Sequence, residues 1–269
     1  MTVADDAREG AEDRKFVTSL ARGLEILRCF RPGEYGLTNQ QIAERNGLPK
    51  PTVTRLTYTL CALGYLIYSE KTGVYQLGPG ILGLGYGVLN GMEMRERALP
   101  AMEELAQAEN VTVALAERHK LKAVYVAVRR APQTLALSLD VGARLPLAAS
   151  AIGRAILVAM EPDERRRIMD ELAAERPEHA AANAEGLARA LEEYRRHGYV
   201  SSFGEWKKEI HGIAAPIYSA DRERIFAMNV GGPSFLVSPE FLREEMGPRL
   251  ARAARDLTLA PLDAAGREA

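Results

Sequence analysis

Thr38-Asn39-Gln40-Gln41-Ile42-Ala43-Glu44-Arg45-Asn46-Gly47-Leu48-Pro49-Lys50-Pro51-Thr52-Val53-Thr54-Arg55-Leu56 is the stretch on which the fold turns. Thr38 followed three residues later by Gln41 has the capping-box form, in which a hydroxyl and an amide side chain each satisfy the other residue's backbone N–H. The spacing predicts a short helix from there to about Asn46, ended by Gly47, a residue free to turn left-handed. Pro49 and Pro51 are tolerated at the start of the next helix, because first-turn amides have no intrahelical acceptor to lose. Val53, Leu56, Leu60 and Leu63 then recur at steps of three, four and three, an apolar stripe. Thr52, Thr54, Arg55, Tyr58 and Thr59 project from the other side. A helix, a tight turn and a second helix whose free face is polar is the plan of a DNA-reading helix-turn-helix.

The flanks extend this plan. Upstream, Val17, Leu20, Leu24 and Leu27 predict a helix with one apolar face, stopped near Arg31-Pro32-Gly33. Downstream, Gly64 ends the second helix. Leu66-Ile67-Tyr68 and Val74-Tyr75-Gln76-Leu77 then bracket Glu70-Lys71-Thr72-Gly73, a β-hairpin signal that reads as a wing with Lys71 at its tip. Gly78-Pro79-Gly80-Ile81-Leu82-Gly83 matches a dinucleotide fingerprint in form only. The strand before it is half of a short hairpin, so no βαβ unit surrounds it. A helix from about Ile81 to Asn90 is expected to link two domains.

Beyond Glu93 the texture changes. Helices are expected over 95–109, 152–160, 162–174, 184–197 and 239–257, and His119-Lys120 reads as a hairpin turn. Strands are expected over 111–116, 122–128, 134–139, 199–203, 213–218 and 226–230. Strands and helices with hairpin-length links suggest an antiparallel sheet flanked by helices. The expected organisation is a disordered tail (1–13), a winged helix-turn-helix (14–78), a linker helix (79–92) and a second α+β domain (93–269).

Composition bounds the function. Apolar residues form 47% and charged residues 26% of the 269, which is ordinary for a globular protein. No apolar run approaches the roughly 20 residues of a membrane helix. The acidic N-terminus does not resemble a secretory signal, and two cysteines are too few for a disulfide framework, so a reduced, cytoplasmic protein is expected. The net charge of −1 hides an asymmetry. Between Arg14 and Leu77, the basic residues Arg14, Lys15, Arg22, Arg28, Arg31, Arg45, Lys50, Arg55 and Lys71 face only Glu25, Glu34, Glu44 and Glu70. A basic module joined to an acidic remainder suits phosphate binding, although an uneven but meaningless distribution gives the same count. An enzyme is disfavoured: there is no Gly-x-Ser-x-Gly elbow, and both cysteines fall at apolar helical positions. His119, His179, His197 and His211 are dispersed at no metal-ligand spacing. No catalytic residue, metal site or cofactor is expected. A DNA-architectural protein without a ligand remains open.

Three stretches carry a resemblance to a known family. They are Leu20-Ala21-Arg22-Gly23-Leu24-Glu25-Ile26-Leu27; Gly47 to Leu56 with Leu60-Cys61-Ala62-Leu63-Gly64-Tyr65; and Leu145-Pro146-Leu147-Ala148-Ala149-Ser150-Ala151-Ile152-Gly153-Arg154-Ala155. Gly198-Tyr199 and Ala214-Ala215-Pro216-Ile217-Tyr218 follow downstream. In this order they resemble the IclR family of bacterial transcription regulators. The resemblance implies a winged helix-turn-helix, a linker helix that helps dimerise, and a GAF-like effector domain. It also implies dimers or paired dimers on palindromic double-stranded operators of catabolic genes, and leaves repression or activation open.

By that resemblance the recognition helix runs from Lys50 to Thr59. Thr52, Thr54 and Arg55 are expected at bases or phosphates, and Tyr58 and Lys71 at the backbone; Thr38, Lys50 and Thr59 complete the set. Arg55 either forks onto a guanine edge or only positions the helix on a phosphate. Tyr58 either meets DNA or is buried against the wing. The effector site is expected at Leu145, Ser150, Ala151, Ile152, Ser202, Gly212, Asn229 and Gly231, where small residues open a helix N-terminus to an anion or merely allow close packing. Where the family's commoner pattern has an acid after Gly-Tyr, this chain has Ser201-Ser202-Phe203. It has His211-Gly212 where Cys or Ser is frequent, and Gly231 in place of a frequent serine. These departures suggest a roomier pocket and an aromatic or otherwise larger organic acid, held by the helix N-terminus and Asn229. Trp206, Lys207, Lys208 and His211 are expected on a loop beside the site, either closing over the ligand or simply solvated.

Overall fold

The computed structural model describes residues 15–31, 33–107, 111–130, 139–219 and 221–258. The chain divides into two units, Met1–Gly91 and Met92–Ala269.

In the first unit, α1 (Thr18–Arg28), α2 (Asn39–Asn46) and α3 (Lys50–Ala62) precede a hairpin of β1 (Leu66–Ser69) and β2 (Val74–Leu77), and α4 (Gly80–Asn90) follows. Ile26, Leu37, Ile42, Val53, Leu60 and Leu66 form the core. The hairpin gains a third edge, because Leu37 and Tyr75 exchange backbone hydrogen bonds of 2.9 and 2.8 Å. Two packing expectations need correction. On α1, Ile26 is buried and Leu27 packs against the core, but Val17, Leu20 and Leu24 are exposed, because the core lies only under the helix's last turn. On α3 the buried face is Val53, Thr57 and Leu60, while Leu63 is exposed beside the left-handed Gly64. Steps of four and three from Val53 reach Thr57, and its hydroxyl is satisfied inside by donating to the Val53 carbonyl at 2.9 Å.

The second unit holds α5 (Glu93–Ala106), β3 (Thr112–His119), β4 (Lys122–Arg130), β5 (Arg144–Pro146), α6 (Ala151–Ala159), α7 (Pro162–Glu175), α8 (Ala180–His197), β6 (Val200–Phe203), β7 (Ile210–Tyr218) and β8 (Ile225–Pro233). A final run comprises α9 (Pro239–Phe241), a π-helical turn (Leu242–Met246) and α10 (Gly247–Leu257), where one uninterrupted α-helix was expected. The strands form one antiparallel sheet in the order β5-β4-β3-β8-β7-β6. Helix α6 lies across one face, with α8 beside it, and α5 and α10 pack against the sheet and each other. The strand expected over 134–139 falls almost wholly outside the described residues. β5, three residues long, was not foreseen, since so short a segment has no readable period.

The face toward α6 is built from small residues: Ala114, Ala116, Ala123, Ala214 and Ala227 share a core cluster with Ala151, Ile152, Ala155 and Ile156 of α6. Its large member is Tyr125. The pairing shifts between Leu115 and Ala116, so that Leu115 faces Ala127 while Ala116 faces Tyr125, which leaves Val126 as a bulge. The extra residue puts Tyr125 on the same face as Val128, three positions away rather than two.

Candidate functional site

The first unit presents a polar helix face. The capping box forms: the Gln41 N–H donates to Thr38 Oγ1 at 3.3 Å, and the Thr38 N–H donates to Gln41 Oε1 at 2.8 Å. Gly47 adopts φ +62°, as the turn into α3 requires. Along α3, Lys50, Thr54, Arg55, Tyr58 and Thr59 are exposed and Thr52 is half-buried. Tyr58, 76% exposed, is not buried against the wing. Several of these side chains also brace the motif. Thr54 Oγ1 accepts from Asn39 Nδ2 at 3.1 Å and donates to the Lys50 carbonyl at 3.0 Å. Lys50 Nζ donates to Gln40 Oε1 at 3.3 Å, and the Thr59 hydroxyl donates to the Arg55 carbonyl at 3.1 Å. Asn39 and Gln40, unremarked in the sequence, thus tie α2 to α3.

The neighbouring cations differ in role. Arg45 donates twice to Glu34, at 2.7 and 2.8 Å, and to the Cys29 carbonyl at 2.8 Å, so it is a strut. The Arg45 hydrogen bonds hold the Glu34 carboxyl at about 2. The side chains of Arg55 and Lys71 have no hydrogen bond or ion pair with a described residue and are both exposed. Free cations on the outward face of α3 and on the wing suit phosphates and base edges.

In the second unit a cavity of about 530 Å³, its open mouth included, lies between the small-residue sheet face and the N-terminus of α6. Leu145, Ser150, Ala151, Ile152, Ser202, Gly212, Asn229 and Gly231 all line it, joined by Tyr125, Thr112, Trp206 and His211. The two serines are scaffold. Ser150 Oγ caps α6 by accepting from the Gly153 N–H at 3.2 Å and donates to the Pro146 carbonyl at 2.6 Å; Ser202 Oγ donates to the Ala149 carbonyl at 2.8 Å. This leaves the first-turn amides of Ala151 and Ile152 without an intrahelical acceptor.

Two glycines shape the walls differently. A Cβ at Gly231 would lie 2.6 Å from the His211 carbonyl oxygen, so strand approach requires this glycine, whatever room it also leaves. At Gly212 a Cβ would make ordinary van der Waals contacts, with Val230 O at 3.6 Å, the Ala151 Cβ at 3.8 Å and the Gly231 Cα at 4.0 Å, so here a small side chain has room. His211 belongs to β7 rather than to the loop where it was expected, because β7 begins at Ile210 and pairs His211 with Gly232. Its Nδ1 donates to the Val237 carbonyl at 2.9 Å, which turns Nε2 into the remaining ring donor or acceptor. Among the described residues no Asp, Glu, Lys or Arg lines the cavity. Backbone dipoles and neutral polar groups therefore set its electrostatics.

A buried cation holds this wall in place. The Arg154 guanidinium donates to the carbonyls of Ala148 (2.8 Å) and Ser201 (3.0 Å) and doubly to Glu205 (2.8 and 2.7 Å). Glu205 also accepts from Arg189 at 2.5 Å. Burial raises the Glu205 carboxyl, but Arg154 and Arg189 outweigh it and leave it below the ordinary value. At Gly186 a Cβ would come within 2.1 Å of Arg154 Nη2, so α8 needs a glycine where the guanidinium passes. Among the described residues no three His, Cys, Asp or Glu side chains are grouped to hold a metal ion, and no helix is long and apolar enough to cross a membrane.

Known proteins share both halves. The profile of the bacterial transcriptional regulator IclR C-terminal family matches residues 86–259, and that of the IclR helix-turn-helix domain matches residues 19–69. The chain is 34% identical over 243 residues to the HTH-type transcriptional regulator TsaQ1/TsaQ2 of Comamonas testosteroni, covering 90% of this chain and 87% of that one. It is 30% identical over 248 residues to the Pca regulon regulatory protein of Pseudomonas putida, covering 91% and 84%. Among solved structures, an IclR family transcriptional regulator from Brucella abortus superposes with a TM-score of 0.83 at 43% identity, covering 91% and 93%. An IclR homologue from Microbacterium hydrocarbonoxydans, complexed with 4-hydroxybenzoate, superposes with a TM-score of 0.69 at 25% identity, covering 89% and 97%.

Proposed function

The chain belongs to the IclR family of bacterial transcriptional regulators, and we propose that it is a cytoplasmic, ligand-responsive member whose operator binding is set by an organic acid. The observation that carries this reading is the cavity at the N-terminus of α6, where the Ala151 and Ile152 amides meet a space that no described carboxylate lines. Such amides, with the partial positive charge of a helix N-terminus, are suited to a carboxylate. The names of the Pca relative and of the 4-hydroxybenzoate-bound homologue support control of catabolic genes by an aromatic acid.

On the DNA side, Arg55 reads a base edge from α3. Thr52, Thr54, Tyr58, Lys50 and Thr59 follow the backbone, Thr38 marks the N-terminus of α2, and Lys71 on the wing meets a phosphate. Dimerisation is supported by α4. The segment Gly80–Asn90 carries no charge and buries no residue, and Leu82, Leu84, Tyr86 and Val88 are 57–72% exposed. An uncharged, apolar helix this exposed among the described residues is what a second copy would cover. No residue is assigned a catalytic role.

Footprinting of the DNA upstream of the gene tests the first half of this reading. The expected result is a protected palindrome with half-sites about one helical turn, or a multiple of it, apart, lost on Arg55→Ala. Protection that ignores sequence and survives Arg55→Ala would overturn it.

A further inference from the structure

The end of the cavity away from the carboxylate site holds a second feature. Tyr125 is buried and lines the cavity, on the sheet face that also carries Asn229. Asn229 keeps a buried Oδ1 with no partner among the described residues. The Asn229 amide and the Tyr125 phenol thus line one cavity. The arithmetic of donors and acceptors is the same whichever way the amide is turned. If Asn229 donates to the phenol oxygen, its own oxygen remains as an acceptor and the phenol O–H as a donor. If the phenol donates to the amide oxygen, the amide N–H and the phenol oxygen remain. Either way the pair offers a ligand one donor and one acceptor. Burial raises the Tyr125 pKa far above its ordinary value, so the phenol stays protonated.

We propose that Tyr125 and Asn229 read a neutral hydroxyl on the effector, so that the ligand is a hydroxylated monocarboxylate rather than an unsubstituted acid or a dicarboxylate. The inference rests on the effector-site reading above and names the ligand class for that site. A hydroxyl donates once and accepts, matching the pair. An ionised carboxylate only accepts; it would leave the free acceptor unpaired in a buried place and face it with negative charge. The span also fits. Ala151 sits over Gly212, which pairs with Gly231, while Asn229 lies two residues along β8 on the same face. Diagonal neighbours on such a face are roughly 7–8 Å apart, which one aromatic ring bridges between its substituents.

The test titrates the full-length protein with benzoate, 4-hydroxybenzoate, 3-hydroxybenzoate and terephthalate, then repeats the series with Tyr125→Phe and Asn229→Leu. Melting curves establish that each variant is folded. The expected result is that at least one hydroxybenzoate binds ten- to a hundredfold tighter than benzoate and terephthalate. Both variants should erase that preference, because a site built to pair a hydroxyl rejects the analogue without one. Benzoate or terephthalate binding as tightly as both hydroxybenzoates would overturn the hydroxyl reading and leave the carboxylate site standing. A hydroxyl preference that survives both substitutions would overturn the assignment to Tyr125 and Asn229. If none of the four acids bound, the effector reading itself would fall, and this inference with it. The wild-type series alone decides the first question even if a variant does not fold.

Discussion

Replacing Arg154 by methionine keeps the stem that fills the space beside α8 and removes the guanidinium. The side chain is only 3% exposed and makes four hydrogen bonds, two to carbonyls and two to Glu205. Removing one partner of a buried ion pair typically costs about 3–5 kcal/mol, because a charge or carbonyl is left unsatisfied. Here the orphan is Glu205, which is 31% exposed and retains Arg189, so it stays solvated and ionised. The cost therefore falls at the low end, about 3 kcal/mol, or roughly 6–12 °C in Tm for a unit of this size.

Glu205→Gln is the opposite cut. It strands a buried cation with no carboxylate beside it, so it should cost more than Arg154→Met, and the double substitution should recover part of the loss. The carboxyl pKa is lowered in the folded state, so its contribution is fully present above the unfolded value near 4.5 and fades as pH falls through the folded value. Stability of the wild type between pH 5 and 3 should therefore drop more steeply than that of Glu205→Gln. The assay is urea and thermal unfolding followed by the fluorescence of Trp206, the only tryptophan, which packs against this core. A loss under about 1 kcal/mol for Arg154→Met, or a double variant no better than Glu205→Gln alone, would refute the strut.

Other outcomes follow from single positions. Gly212→Val places a side chain in the cavity beside Ala151, where its Cβ makes only ordinary contacts, so Tm should hold while ring-sized acids lose at least tenfold in affinity and acetate-sized ones do not; an equal loss for both, read by calorimetry, would mean the cavity is not where acids bind. Arg55→Ala should weaken operator binding by about 1–3 kcal/mol and relax preference at one base pair, whereas Lys71→Ala should weaken all sequences alike and reduce the salt slope by about 1. Leu84→Glu with Val88→Glu, two exposed positions one turn apart on α4, should convert a dimer to a monomer by sedimentation; a variant that stays dimeric would move the interface elsewhere.

The parts legible in the sequence were those set by local chemistry. Thr38 and Gln41 specify a cap within four residues, Gly47 specifies a left-handed turn, and Glu70 to Gly73 specify a hairpin; each needs no knowledge of the rest of the chain. Leu145, Ser150, Ala151, Ile152, Ser202, Gly212, Asn229 and Gly231 come from six elements or loops, and the structure gathers all of them around one cavity. Only the resemblance linked them, since nothing in periodicity connects Leu145 with Asn229. Tyr125 escaped notice because the bulge at Val126 breaks the alternation by which strand faces are read. Thr57 escaped because a threonine counts as polar until its hydroxyl is seen bonded to the preceding turn. Arg154 looked like one more residue of a motif, and only its four buried acceptors reveal a strut. The exposed apolar residues of α1 were read as a periodic face, whereas α4 was read only as a linker helix, which the resemblance alone tied to dimerisation.

The most direct test is fluorescence anisotropy of the full-length protein on the DNA upstream of its gene, across salt concentrations, with and without a hydroxybenzoate. The expected result is tight, salt-sensitive, sequence-selective binding whose midpoint the acid shifts, with the same factor appearing in the acid's affinity for free and DNA-bound protein. Selective DNA binding that no acid alters, by an acid-binding protein whose affinity DNA leaves unchanged, would contradict the claim that the cavity governs the helix-turn-helix.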